Sequence, residues 1–292
     1  MVVEAPEISV VVISYNMARE IPRTLFSLSS PYQTLCPRGR HEVLLVDNGS
    51  SAPPRPEDFA ALDVDVAVHH WPKPTHSPVA ALNFGLAQAR GELIGAWIDG
   101  ARLASPGLID ACAKASRLHA RPVIVTENRH LGPRVHPLSL RSGYDRRSED
   151  ALLASIAWET NGYGLFGVST HVDSAASGGP ILESNAIFMP RPLWEELGGY
   201  DEAFDSPGGG AVNPDLLIRA CALPGAQLIR IVGEATFHQM HGGATSGDPD
   251  VFDRVLIACS REYFRIRRKP LRPVRDPGWL FDARLGRVVS PP

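Results

Sequence analysis

The first strong pattern in the chain is Ile8–Ile13 (ISVVVI), a run dominated by β-branched residues with no regular polar face. Such a run suits a strand buried on both sides of a parallel sheet. Past Asn16 the apolar spacing changes to Ile21, Leu25 and Leu28, one face of a helix over residues 17–28. Glu42–Val46 (EVLLV) predicts a second strand, ending at the turn sequence Asp47-Asn48-Gly49-Ser50. Val64, Val66 and Val68 alternate as a third strand. Val79, Leu82, Leu86 and Ala89 mark a helix, and Leu93–Ile98 a fourth strand. Ser105-Pro106 reads as cap and first turn of a helix whose Leu108, Ile109 and Cys112 face inward, and Val123–Thr126 is one more strand.

Strands alternating with helices as far as about residue 126 predict an α/β fold with a mostly parallel sheet flanked by helices. Such sheets bind ligands at the carboxyl ends of their strands. Asn16, Asp47 and Asp99 each follow a predicted strand, so the fold would gather them along one edge. Residues 128–179 read mainly as loop, of the kind that forms lids or acceptor-binding segments, apart from a helix from Glu149 to Trp158 capped by Ser148. Beyond lie a strand at Ile181–Met189, a helix at Pro192–Leu197 stopped by Gly198-Gly199, and a helix at Pro214–Leu223. A strand at Gln227–Val232 and a long amphipathic helix at Pro249–Arg268 complete the pattern, with no internal repeat and no convincing linker.

Composition narrows the class. Of 292 residues 44% are hydrophobic and 21% charged, and the net charge of −3 gives no overall attraction to nucleic acid or to an anionic membrane. Cys36, Cys112, Cys221 and Cys259 are scattered without a C-x-x-C pair, which argues against a disulfide scaffold or a cysteine-rich zinc site. No stretch approaches the roughly 20 apolar residues of a membrane span, so the chain reads as a soluble, cytoplasmic protein.

Four blocks then stand out in order: VVVISYN (10–16), LLVDNGSS (44–51), NFGLAQARGELIGAWIDG (83–100) and NAIFMPRPLWEELGGYDEAF (185–204). Together they resemble family 2 glycosyltransferases of the GT-A fold, over about residues 8–243. A further stretch, GGGAVNPDLLIR (208–219), is similar to the corresponding segment of polypeptide N-acetylgalactosaminyltransferases. The resemblance implies transfer of a sugar from a nucleoside diphosphate, most simply UDP, to a saccharide, lipid-linked or other hydroxyl acceptor. It also implies a nucleotide-sugar half over 1–126, an acceptor and catalytic half over 127–245, and a C-terminal helix and tail over 246–292.

The residues support these roles unevenly. Asp47 at a strand end can accept a hydrogen bond from the imide N–H of a base, the role the resemblance implies, or can simply cap its own turn. Ser14, Tyr15 and Asn16 open the first helix, where backbone N–H groups suit an anion or a nucleotide ring edge; the plain alternative is an Asn cap and a core Tyr. Asn83 occupies the family's N-x-G position, with Leu82 where an Arg often stands, and Asp99-Gly100 the place of its Asp-x-Asp segment. There Ala101 replaces the metal-binding third residue.

A diphosphate leaving group needs a cation or fixed positive charge to offset the negative charge it develops. Asp99, Arg102, and His238 or His241 of FHQMHGG (237–243) are the available groups, and Mn²⁺ or Mg²⁺ would accept a mixed oxygen and imidazole set. For a general base the nearby carboxylate is Asp215, which could equally stabilise the first turn of its helix. Asn213 with Asp215 also matches the N-x-E of the retaining N-acetylgalactosaminyltransferases, which need no dedicated base, so inversion and retention both stay open.

Glu183 and Asp201 are acceptor-side residues, Trp194 is a core residue before it is a ligand, and Gly208-Gly209-Gly210 permits close approach of a loop to the donor. The segment 261–275 carries seven basic residues against one acid. It reads either as a solvated helix end or as a weak peripheral contact with the inner face of a membrane; no nucleic-acid module accompanies it. Two competing readings are a catalytically degraded GT-A nucleotide-binding module, favoured by Ala101, and a sugar nucleotidyltransferase. The latter needs a Gly-rich basic loop that SYNMARE (14–20) lacks.

Overall fold

The computed structural model describes residues 5–36, 39–242 and 252–289. The strands are β1 (Ile8–Ser14), β2 (His41–Asp47), β3 (Asp65–His70), β4 (Leu93–Trp97), β5 (Arg102–Ala104), β6 (Pro122–Leu131), β7 (Ser169–His171), β8 (Ile187–Pro190), β9 (Gln227–His238), β10 (Trp279–Asp282) and β11 (Arg287–Val289). The helices are α1 (Glu20–Ser27), α2 (Val79–Gln88), α3 (Leu108–Ser116), α4 (His136–Arg141), α5 (Arg146–Ser155), α6 (Arg191–Leu197), α7 (Val212–Cys221) and α8 (Phe252–Arg267).

All the strands join one sheet in the order β11-β10-β9-β6-β8-β4-β1-β2-β3, with β5 pairing beside β9 and β7 beside β6. β1 is parallel to β2 and β4, and β2 to β3. β8 runs antiparallel between β4 and β6, and β6 is parallel to β9. The unbroken apolar runs are buried on both faces, as expected for strands covered by helices on either side. One apolar cluster packs α2, α6 and α7 on the sheet through Val11, Leu82, Ile187, Trp194 and Leu216, a second packs α1 and α3 through Val10, Leu25, Trp97, Ile109 and Phe188, and a smaller third gathers Tyr32, Leu153, Trp158 and Phe237.

Several expected boundaries move, each for an identifiable reason. Ser105 does not cap the next helix, because its hydroxyl accepts from the Ala235 N–H on β9; α3 begins after Gly107 without a side-chain cap. The middle helix is capped by Asp145, whose carboxylate accepts from the Ser148 N–H, and it ends at Ser155. β6 continues past Thr126 to Leu131, and β9 past Val232 to His238. Both extensions carry buried polar residues paired across the sheet, with a bulge between Val125 and Glu127. Ile181 makes only an isolated bridge to Val274, so β8 starts at Ile187.

The residues expected to be a tail supply β10 and β11, adding two strands to the sheet beyond β9. The expected start of the last helix, Pro249–Val251, lies outside the described residues. No helix among the described residues is long and apolar enough to cross a membrane.

Candidate active site

Register alone brings one set of side chains together. Ser14 pairs with Asp47, and Val12 with Trp97, so Asp99, two residues on, emerges level with Ser14 and Asp47. Adjacent strands lie about 4.8 Å apart, and these three residues therefore share the carboxyl edge of β1, β2 and β4. Further along, His238 pairs with Arg102 of β5 on one side and with His130 of β6 on the other.

The result is a compact polar cluster. Nε2 of His238 lies 2.6 Å and Nε2 of His241 3.4 Å from Oδ2 of Asp99, and the two Nε2 atoms are 2.9 Å apart. The Ala101 N–H donates to Oδ1 of Asp99, and the Ala101 carbonyl accepts from the Gln239 N–H. Ala101 is 0% exposed. The absent carboxylate thus corresponds to a buried backbone clamp that holds Asp99 against the His238 segment. Gly100 is needed sterically, since a Cβ there would strike the Ile13 carbonyl and the Ile21 side chain.

Behind Asp99 the buried guanidinium of Arg102 donates to Asn128 and stands 3.6 Å from Oδ2 of Asp99. Burial disfavours a charged Asp99, but the imidazoles of His241 and then His238 outweigh it and hold its carboxyl well below the usual range. Burial pushes His238 down to about 4 despite Asp99. For His241 burial also opposes the charge, yet Asp99 wins and raises it. Two further histidines complete the cluster. The His130 and His136 rings stack at 4.2 Å, and each lies about 5 Å from the His238 ring, at 5.1 and 4.9 Å. Nδ1 of His130 accepts from the His136 backbone N–H.

Asp99, His238 and His241 offer one oxygen and two nitrogens that converge within reach of one ion. The chemistry of this donor set suits Mn²⁺ or Mg²⁺ completed by phosphate oxygens. The segment is braced from below: Glu149 accepts from the Met240 N–H, and Arg19 bonds Glu20, Glu149, Asp150 and the Met240 carbonyl.

The neighbouring loop network is equally local. Asp47 accepts from the Gly49 and Ser50 N–H groups and from the Ser50 hydroxyl, and that hydroxyl accepts from the Asn16 N–H. Asn16, at φ 52°, accepts from the Ser51 N–H and hydroxyl. Asp47 therefore caps its own turn, with its carboxylate held below the Ser14–Asn16 segment. Tyr15 is 56% exposed rather than in the core. α1 starts only at Glu20, whose carboxylate pairs with Arg19, so Ser14–Asn16 do not sit on its first turn.

Three expected site residues belong elsewhere. Asn83 spends its amide on the Tyr200 backbone, donating to the carbonyl at 2.9 Å and accepting from the N–H at 2.9 Å. It ties α2 to the turn after α6. Asp215, 0% exposed, takes Nε and Nη2 of Arg267 at 2.6 and 2.7 Å and Nε of Arg219 at 2.7 Å. Arg267 also pairs with Asp201 at 2.6 Å, while Arg219 donates to the Leu197 and Gly199 carbonyls. A base must meet its proton directly, and Asp215 has no free face, so its role is to lock α7 to α8. Asp201 is likewise tied to Arg267 and to the Ala203 N–H.

Glu183 remains. It is partly exposed and takes only long contacts, 3.5 Å from the Asn185 amide and 3.4 Å from the Asn213 amide. Trp194 is a core residue whose indole donates to the Ile94 carbonyl. Gly208, Gly209 and Gly210 all have positive φ, and their turn is anchored by a Gly208 N–H bond to the His76 carbonyl.

His130 and His136 were not expected from sequence. Their spacing is no ligand motif, and only reading β6 on through ENRHL would have put His130 beside His238.

Comparison with known proteins agrees with this architecture. Residues 9–121 match the family described as Glycosyl transferase family 2. Comparison of the sequence with curated proteins gives no significant match. Among solved structures, TarS of S. aureus in complex with UDP-GlcNAc aligns with a TM-score of 0.58 and 15% identity, over 88% of this chain and 66% of that one. The mannosyltransferase PcManGT from Pyrobaculum calidifontis, in complex with GDP-Man and Mn²⁺, aligns with a TM-score of 0.55 and 19% identity, over 92% of this chain and 66% of that one. The chain thus spans just under two thirds of each of these two solved chains, and 40% of the longer TarS chain in another crystal structure. Residues 9–121 thus carry the sequence pattern of family 2 glycosyl transferases, and the chain as a whole shares the fold of these solved structures.

Proposed function

We propose that this protein transfers a sugar from a nucleoside diphosphate, with UDP the default, to a hydroxyl acceptor. One observation carries the reading. Asp99, His238 and His241 converge on a single point at the strand ends, level with the Asp47 and Asn16 turn where a nucleotide would lie.

Each residue then has a task. Asp99, His238 and His241 would hold a divalent cation, which supplies charge neutralisation for the diphosphate. Arg102 adds a fixed positive charge behind Asp99 and is desolvated, so its field acts at low dielectric. Exposed Tyr15 offers a ring face to the base, and the Ser14–Asn16 backbone borders it. Glu183 would take the proton of an acceptor hydroxyl, because its two amide contacts are long and it is partly exposed. Inversion follows if Glu183 acts in this way.

A nucleotide-binding module without turnover is the second reading, favoured by the engagement of Asp215 and Asp201 in ion pairs. Calorimetric titration of UDP and GDP with Mn²⁺ and again with EDTA tests nucleotide binding. Donor hydrolysis or transfer by wild type and Glu183→Gln then separates the readings. Affinity that collapses in EDTA, with turnover lost in Glu183→Gln at unchanged affinity, supports transfer. Affinity without turnover of any nucleotide-sugar supports the module, and no affinity for either nucleotide overturns both.

A further inference from the structure

The inward side of α8 is fully used. Tyr263 packs against Phe204, Glu262 accepts from the Ser206 N–H and hydroxyl at 3.2 and 2.6 Å, and Arg267 holds Asp215 and Asp201. The outward side is different. At spacings of three and four residues it presents Leu256, Ile257 and Phe264, which are 46%, 52% and 54% exposed, around Ser260. A helix in contact only with water does not ordinarily carry such a stripe, and contiguous exposed apolar surface marks a contact site.

The charge bordering the stripe indicates the kind of contact. Arg261, Arg265 and Arg268 are exposed on α8 or at its end, and Lys269, Arg272 and Arg275 continue the exposed basic series. Of the seven basic residues from 261 to 275, Arg267 alone is committed to interior ion pairs among the described residues. Arg265 has one distant acid, Asp205 at 3.9 Å. The patch is therefore cationic on a chain whose net charge is −3.

We propose that this face of α8, with the basic segment behind it, docks on the surface of an anionic lipid bilayer. Leu256, Ile257 and Phe264 would enter the boundary between headgroups and acyl chains, and the arginines would meet the headgroup phosphates. A second copy of the chain is the poorer partner, because facing two such surfaces would oppose two rows of arginines. The docking does not rest on the transferase reading. Its consequence does: α8 carries the Ser206–Ala211 turn that reaches the His76 loop, so docking would fix the acceptor side relative to the membrane.

The test is co-sedimentation of the full chain with vesicles of phosphatidylcholine alone and with phosphatidylglycerol added. Two variants accompany it, Ile257→Ser/Phe264→Ser and Arg261→Glu/Arg268→Glu, with circular dichroism and UDP titration as folding controls. The expected result is binding only to the anionic vesicles, weakened by salt and reduced at least about tenfold in each variant. Absence of binding to anionic vesicles overturns the proposal, as does binding that neither variant changes. A dimer in light scattering that Ile257→Ser/Phe264→Ser dissolves, with no vesicle binding, reassigns the face to self-association. Because the substituted side chains are exposed, UDP affinity is expected to stay constant, so failure of docking and failure of nucleotide binding are read separately.

Discussion

Nε2 of His238 lies 2.6 Å from Oδ2 of Asp99, joining the last residue of β9 to the loop after β4. That contact leaves an anion, two imidazoles and a guanidinium at one point in spite of Ala101. Replacing Asp99 by Asn keeps its shape and removes its charge. Mn²⁺-dependent nucleotide affinity should fall by at least about tenfold, and titration in Mn²⁺ and in EDTA would check it. Equal affinity in both proteins would mean that the cluster binds no ion.

Restoring the family's acid at position 101 should not restore a clamp. Ala101 is 0% exposed, and its two backbone groups are bonded to Asp99 and Gln239. Ala101→Asp buries a second carboxylate beside Asp99, so a loss of about 2 kcal/mol or more is expected in urea denaturation. A variant of unchanged stability with higher Mn²⁺ affinity would refute this.

Asp215 separates a structural from a catalytic role. Asp215→Ala leaves Arg219 and Arg267 without their common partner, at an expected cost of about 3–5 kcal/mol. Below its denaturation midpoint, the variant should bind UDP as the parent does. Normal stability with lost turnover would instead return Asp215 to the role of base.

The buried imidazoles predict acid sensitivity of the metal-free protein. Burial, then the charge of His238, pushes His136 from 6.5 down to about 2, and burial pushes His238 to about 4. Below 6.5 the unfolded chain therefore takes up protons that the folded chain refuses, and stability falls as pH drops. His241 has the opposite sign: its raised value adds stability that is complete below 6.5 and is lost as pH rises through that value. Three imidazoles of the cluster, His130, His136 and His238, are depressed against one that is raised, so urea midpoints in EDTA should fall between about pH 6 and 4. His136→Gln should flatten the slope, and a slope unchanged by it would place the acid lability elsewhere.

The chain's alternating segments were enough to place the parallel strands, because burying both faces of β1, β2 and β4 demands unbroken apolar runs. The strand-end positions of Asp47 and Asp99 follow from the same pattern. The polar ends of β6 and β9 were not visible in this way. Glu127, Asn128, Arg129 and Thr236 are buried by pairing with one another's strands, and no local periodicity marks a polar residue whose partner lies a hundred positions away. The C-terminal strands share the difficulty, since Trp279–Asp282 is too short to declare itself until β9 offers an edge.

For the site, sequence alone determined which chemistry was available: Asp99 at a strand end, Ala101 in place of an acid, and a histidine pair after the last long strand. Only the tertiary structure decided who meets whom. Register between β5, β9 and β6 set Arg102, His238 and His130 side by side, and packing of α7 against α8 gave Asp215 to two arginines. Hydrogen-bonded register and ion pairing act between segments remote in sequence, whereas apolar periodicity acts within one.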